Sequence, residues 1–276
     1  MARLIINSDD YCRTSPISRG VREAHRQGVV SSTTCMMNFP NAAEDIELAL
    51  KETPELGLGV HLVLTSGPPL SAPEAVPTLV TAENRFPGLS EFLSHLDQVN
   101  PEEVKAEWRL QIEKFVRVSG RPPTHLDSHH HSSYYTKDFF RAMLELAQEF
   151  GCAIRQVTAQ DSGFLRGLPK MVGETILAYA PLLIREFNIS TTDAFYASFY
   201  DEQATKEDII GILERLPKDG LYELMCHPGY SDAALEASST YNRQRERELA
   251  VLTDKEVKDT VRRLDIELVT FGVVKR

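Results

Sequence analysis

Pro122-Pro123-Thr124-His125-Leu126-Asp127-Ser128-His129-His130-His131 gathers four of the chain's eight histidines, with a carboxylate, into one short run. If Thr124 to Asp127 is a strand, His125 and Asp127 point to the same face, because strand side chains alternate. The three imidazoles that follow suit a loop, from which they can project in several directions into a cleft. Neutral imidazole is the commonest protein ligand for zinc-like metals, and a nearby carboxylate can fix its tautomer. A surface cluster or affinity tag is the ordinary alternative. The mid-chain position, after helix-stop and turn residues, argues against a tag. The fold turns on whether other strands also end in polar residues.

They do. Leu4-Ile5-Ile6 is the β-branched run of a strand buried on both faces, and it ends in Asn7-Ser8-Asp9-Asp10. Further strands are expected at Ser31 to Met37, Gly57 to Leu64 carrying His61, Ala153 to Val157 carrying Arg155, Thr192 to Tyr196, Leu221 to Cys226 delivering His227, and Glu267 to Phe271. Helical patterns lie between them. Pro16 suits a first turn, Asn100-Pro101-Glu102-Glu103 starts a stripe of Val104, Trp108, Ile112 and Phe115, and Gly120 and Gly151 can stop helices. The region from Gln160 to Ser190 is poorly patterned, with an irregular helix from about Pro169 to Phe187.

Strands alternating with helices imply parallel pairing and right-handed crossovers. Seven to eight units point to a closed or nearly closed parallel (β/α) barrel, expected as one domain over residues 1–276. The proline-rich stretch 65–88 reads as an insertion or lid over the site.

Composition narrows the function. The 276 residues are 42% hydrophobic and 25% charged, as in ordinary globular proteins. A net charge of −10 disfavours non-specific binding to nucleic acid or anionic membranes. Cys12, Cys35, Cys152 and Cys226 form no C-x-x-C pair and read as buried small hydrophobes in a reducing compartment. With no signal-peptide pattern and no apolar run long enough to span a bilayer, the expected location is cytoplasmic.

In a parallel barrel, chemistry sits at the C-terminal ends of the strands. Asp9, Asp10, His61, His125, Asp127 and His227 fall independently near that rim. Taken singly, Asp9-Asp10 could be a solvated turn, His61 a core histidine and His227 a turn residue. Together, a carboxylate and two imidazoles suit a divalent metal with positions left open for water and substrate. Side chains of adjacent residues diverge on extended backbone, so one aspartate should bind and the other serve as base. Arg155, inside a strand, needs a carboxylate partner, here expected in the active site. His25 and His95 read as surface residues, and Tyr241 to Arg247 as a solvated helix face.

The segments Leu4-Ile5-Ile6-Asn7-Ser8-Asp9-Asp10, Val30-Ser31-Ser32-Thr33-Thr34, Gly57-Leu58-Gly59-Val60-His61-Leu62, Pro123 to His130 and Glu223-Leu224-Met225-Cys226-His227-Pro228 resemble the YdjC-like, ChbG-type carbohydrate (chitooligosaccharide) deacetylases. They run in that family's order over nearly the whole chain. The resemblance implies an irregular TIM-like (β/α) barrel and a metal-dependent hydrolase that removes acetyl groups from N-acetylated sugars. It makes Asp10, His61 and His125 the metal ligands, Asp9 the general base, and His227 the histidine at the leaving group. Asp127, His129, His130 and Arg155 would then contact substrate or support the ligands, and His129 is a second candidate proton donor. The cofactor would be one divalent ion, magnesium or zinc, and the partner an N-acetylated oligosaccharide, with a homodimer left open. Two departures stand out: Asp9-Asp10-Tyr11-Cys12 replaces the family's usual Asp-Asp-Phe-Gly, and the histidine run ends in Ser132 and Ser133 without a further histidine. The rival readings are a metal-dependent sugar isomerase or phosphoesterase on the same barrel, and a non-catalytic sugar-binding protein.

Overall fold

Strand β1 (Ala2–Tyr11) is the axis of the sheet, and every residue in it except Arg3 is buried. The structure, a computed structural model, describes residues 1–156, 168 and 170–274. On one side β1 pairs in parallel with β7 (Gly220–Cys226), in register from Ala2 opposite Gly220 to Ser8 opposite Cys226. On the other side its upper half pairs with β2 (Ser32–Cys35), while its lower end takes the short β8 (Glu267–Leu268). The remaining strands are β3 (Gly57–Leu62), β4 (His125–Ser128), β5 (Ala153–Ile154) and β6 (Ala194–Tyr196). Their order is β5-β4-β3-β2-β1-β7-β6, with all pairings parallel. The sheet curls towards closure where the Ile154 N–H donates to the Ser190 carbonyl at 3.3 Å. This is the barrel expected from the alternation of elements, in the irregular TIM-like form that the resemblance implies. Val157 and Pro169, assigned to a strand and a helix from the sequence, lie outside the described residues.

The long helices begin and end where local chemistry dictates. Thr14 caps α1 (Ser15–Gln27) by accepting from the Ile17 N–H, and Pro16 sits in its first turn. After α2 (Ala42–Glu52) and the short α3 (Leu89–Ser94) comes α4 (Pro101–Ser119), capped by Asn100 and stopped by Gly120 at φ +70°. Thr136 caps α5 (Lys137–Phe150), which Gly151 ends at φ +72°. Among the described residues five further helices follow: α6 (Lys170–Glu186), α7 (Lys206–Arg215), α8 (Ala233–Ser238), α9 (Arg243–Leu252) and α10 (Lys255–Arg263). Among the described residues no helix is long and apolar enough to cross a membrane. All four cysteines are buried and free.

Two layers inside the barrel position the site. At the N-terminal end of the strands, Ile5, Ala153, Leu221, Val269 and Phe271 form an apolar floor. His125, the first residue of β4, belongs to this floor. Its ring stacks on Phe271 at 3.6 Å between centroids and 9° between planes, and its Nδ1 lies 3.0 Å from Thr124 Oγ1. Gly59 makes room for it, since a Cβ there would lie 2.5 Å from His125 Nδ1. Above the floor sits a charged layer, and above that the mouth.

The stretch 65–88 is more ordered than its prolines suggest. Val76, Leu79 and Phe86 are buried, and buried Glu107 of α4 accepts from the Leu70 N–H (3.0 Å) and Ser71 N–H (2.8 Å). Glu103 accepts from the Thr78 N–H at 2.9 Å in the same way. The loop is therefore fastened along α4; Thr65 at its start meets His130, and Leu89, just past its end, lines the cleft.

Candidate active site

The charged layer is built around Arg155, which is fully buried. Its Nη1 donates to Asp9 Oδ2 at 2.8 Å and its Nη2 to Asp9 Oδ1 at 2.6 Å. Nη2 also lies 2.9 Å from Asp127 Oδ2, and Nε donates to Glu223 Oε1 at 2.8 Å. A guanidinium among three carboxylates keeps its charge easily, and its face rests on the Phe195 ring. Burial works against ionisation of Asp9, but Arg155 beside it outweighs burial and holds its carboxyl well below the usual range. For Glu223 burial wins, and its carboxyl is pushed up to about 8.

Asp10 lies on the other side of His61. Both aspartates reach the mouth because Asp10 is not extended: its φ is +68°, and the β1–β2 register shifts between Ser8 and Tyr11. Aspartate tolerates this left-handed conformation better than most residues. The expected divergence of the two side chains thus gives way to convergence.

Around Asp10 Oδ1 lie His61 Nε2 at 3.3 Å and His129 Nδ1 at 3.0 Å. His61 Nδ1 sits 2.7 Å from Asp127 Oδ1, so its proton belongs there and Nε2 turns a lone pair towards a carboxylate oxygen. Two acceptors face to face need a cation between them, either a proton or a metal ion. Without a metal the proton serves: burial opposes it, but Asp127, Asp10 and Asp9 raise the His61 pKa to about 10. Among the described residues no donor other than these imidazoles reaches Asp10 Oδ1, and Arg245 Nη2 occupies the other oxygen. Asp10, His61 and His129 therefore present three convergent donor atoms, a set that fits a divalent metal. Asp9, His61 and Asp127 also cluster, but Arg155 already bridges both of those carboxylates.

The structure does not bring His125 to this cluster. It lies on the floor, at the opposite end of β4 from the mouth, and its place beside Asp10 and His61 is taken by His129. The resemblance names His125 as a ligand, whereas the geometry sets His129 beside Asp10, because β4 ends at Ser128 and the following residues turn sharply. His130 and His131 sit at φ +55° and +57°, which splays the three imidazoles apart. His129 faces Asp10, His130 Nδ1 lies 2.9 Å from Thr65 Oγ1, and His131 turns its edge to Phe195.

His227 follows β7 with its Nε2 at 3.9 Å from Asp9 Oδ2. Its backbone N–H donates to Glu248, which also accepts from the Tyr241 hydroxyl. Burial lowers the His227 pKa to about 4, so its imidazole is neutral at neutral pH. Arg245, within the Tyr241 to Arg247 stretch read as a solvated face, and Glu248 just after it lie on α9; both are buried, and Arg245 reaches Asp10. The legible signal was that they stand three residues apart, on one helix face close to Leu249 and Leu252. Arg13 is a second unforeseen neighbour, with Nη1 3.2 Å from His129 Nε2. Asp9, Asp10, His61, His129 and His227 line one cleft of about 550 Å³, within the usual size of small-molecule sites.

Comparison with known proteins agrees along the whole chain. The family model described as YdjC-like protein matches residues 3–263. A Brevibacillus brevis protein named carbohydrate deacetylase is 35% identical over 270 residues, 98% of each chain. A Yersinia enterocolitica protein named chitooligosaccharide deacetylase is 32% identical over 273 residues, again 98% of each. A crystal structure from Enterococcus faecalis V583, proposed there to be a cellobiose-phosphate cleavage protein, superposes with a TM-score of 0.86 at 32% identity, covering 100% of this chain and 99% of that one.

Proposed function

This chain belongs to the YdjC-like protein family, and from that premise we propose that it is a carbohydrate deacetylase, a hydrolase that removes acetyl groups from N-acetylated sugars. The observation that carries the reading is the pairing, in one cleft, of a three-donor cluster (Asp10, His61, His129) with a separate carboxylate–imidazole pair (Asp9, His227). The relatives' names point the same way.

Asp10, His61 and His129 would hold a divalent ion, and two nitrogens with one oxygen suit zinc better than magnesium, which favours oxygen ligands. When bound, such an ion supplies Lewis-acid polarisation of the acetyl carbonyl and lowers the pKa of water. Asp9, fixed by Arg155, is ionised and accepts the proton that water loses as it attacks. A carboxylate of such low pKa holds that proton weakly. His227, 3.9 Å away and the stronger base of the two, receives it and returns it to the departing amine. The single proton is conserved, and the products are acetate and an amino sugar.

The test is acetate release from N-acetylated mono- to tetrasaccharides by protein loaded with divalent metal, with phosphate release from sugar phosphates as control. Phosphate without acetate would overturn the reading in favour of a phosphoesterase. Asp9→Asn is expected to lower kcat by at least about 100-fold while calorimetric metal affinity stays within a few-fold. Near-normal turnover in that variant would remove Asp9 from the role of base.

A further inference from the structure

Three buried carboxylates converge on the Arg155 guanidinium, and two of them have other donors besides it. Asp9 Oδ1 has Asn7 Nδ2 at 3.2 Å. Asp127 has His61 Nδ1 at 2.7 Å on Oδ1 and the Thr34 hydroxyl at 3.0 Å on Oδ2. Glu223 differs. Its Oε1 takes both Nε and Nη2 of Arg155 at 2.8 Å, and among the described residues no donor reaches its buried Oε2.

The sheet sets this position. Glu223 stands on β7 between Ile5 of β1 and Phe195 of β6, and alternation along the strand turns it to the same side as Met225, which lines the cleft. Asp9 takes the Nη1–Nη2 end of the guanidinium and Glu223 its Nε–Nη2 edge, so together they fix the rotation of its plane. The Phe195 ring backs the plane at 4.6 Å.

Three anions around one cation leave an excess of buried negative charge, and an anionic oxygen without a donor is far less stable there than a neutral one. A proton on Glu223 Oε2 relieves both faults at once. Burial, with Asp127 and Asp9 adding to it against Arg155, pushes the Glu223 carboxyl in that same direction. Tyr134 and Cys226, the other titratable groups near it, are themselves kept neutral by burial.

We propose that Glu223 is a positioning residue: as a neutral carboxyl it clamps the edge of Arg155 and so keeps the guanidinium's end on Asp9. This rests on the deacetylase reading above for the role of Asp9 as base. The clamp works by accepting a hydrogen bond, so an amide can replace it and an alkyl group cannot.

The experiment has two readouts. In Glu223→Leu, kcat for acetate release from chitooligosaccharides is expected to fall at least about tenfold with KM within about twofold, because a displaced base loses rate without losing substrate. Glu223→Gln should bring kcat back to within about threefold of wild type. Equal losses in the two variants, no loss in either, or a loss confined to KM overturns the proposal. The second readout needs no substrate. A glutamate at about 4.3 when unfolded and about 8 when folded holds an extra proton in the folded state between those values, so its stabilisation fades as pH rises. The ratio of urea-unfolding constants, Glu223→Gln over wild type, should therefore fall about tenfold per pH unit from about pH 5.5 to 7.5 in chelator. A flat ratio would put a charge on folded Glu223 and overturn the proposal. If the wild type releases no acetate, the deacetylase reading fails by itself and this ratio decides Glu223, as it does if Glu223→Leu does not fold.

Discussion

Asp10 sits at φ +68°, outside the extended region its neighbours occupy, and that rotation turns its carboxylate to the same mouth as Asp9. The two aspartates then part company through their partners: Arg155 grips both oxygens of Asp9, while Arg245 takes one oxygen of Asp10 and leaves the other facing two imidazoles. His125 shows the opposite fate. Buried and stacked on Phe271, it is held neutral, with burial the main cause and Arg155 adding to it. A buried neutral histidine contributes stability that is complete above the unfolded pKa of about 6.5 and is lost as pH falls below it, because the unfolded chain then binds the extra proton. His125→Phe should therefore flatten the fall in urea-unfolding free energy between pH 7 and pH 5 by about one proton, measured in chelator. Identical slopes in the two proteins would show that His125 gains its proton in the folded state.

At the scale of elements, one buried carboxylate fastens the start of the stretch 65–88. Glu107 accepts from two loop amides and from the Ser71 hydroxyl at 2.6 Å, and Gln111 beside it clamps Val63 through both its amide nitrogen and its oxygen, each at 2.9 Å. Removing a buried acceptor strands its donors, at a cost of about 1–3 kcal/mol. Glu107→Ala should speed hydrogen exchange at Leu70 and Ser71 by at least about tenfold while amides in the middle of α4 hold their protection. Uniform exchange rates across variant and wild type would mean the loop is secured by its apolar residues alone. Helix α9 teaches a related lesson. A run as charged as Arg243-Gln244-Arg245-Glu246-Arg247-Glu248 has low apolar periodicity, yet Arg245 and Glu248 are buried because the strand ends supply them with partners.

Across the whole molecule, the donors Asp10, His61 and His129 come from β1, β3 and the segment after β4, so a cation there ties three parts of the barrel together. A ligand that binds only the folded state adds about 2.7 kcal/mol at a hundred times its Kd. Zinc or another suitable divalent ion should raise the thermal midpoint by several degrees, reversibly with chelator. His129→Ala should abolish the shift, whereas His125→Phe should keep it. The reverse pattern would return His125 to the ligand set.

From the sequence alone one could read the parallel α/β barrel, the strand-end location of its polar residues, and the pairing of carboxylates with imidazoles. These are legible because alternation of buried β-branched runs with capped helices leaves few topologies, and because parallel strands deliver their C-terminal ends to one rim. Which histidine of His125, His129, His130 and His131 stands beside Asp10 was decided by tertiary structure. So were the turn of Asp10 into the mouth and the burial of Arg245 and Glu248. Each depends on a local backbone rotation or on partners supplied by another element of the fold, and hydrophobic periodicity carries neither.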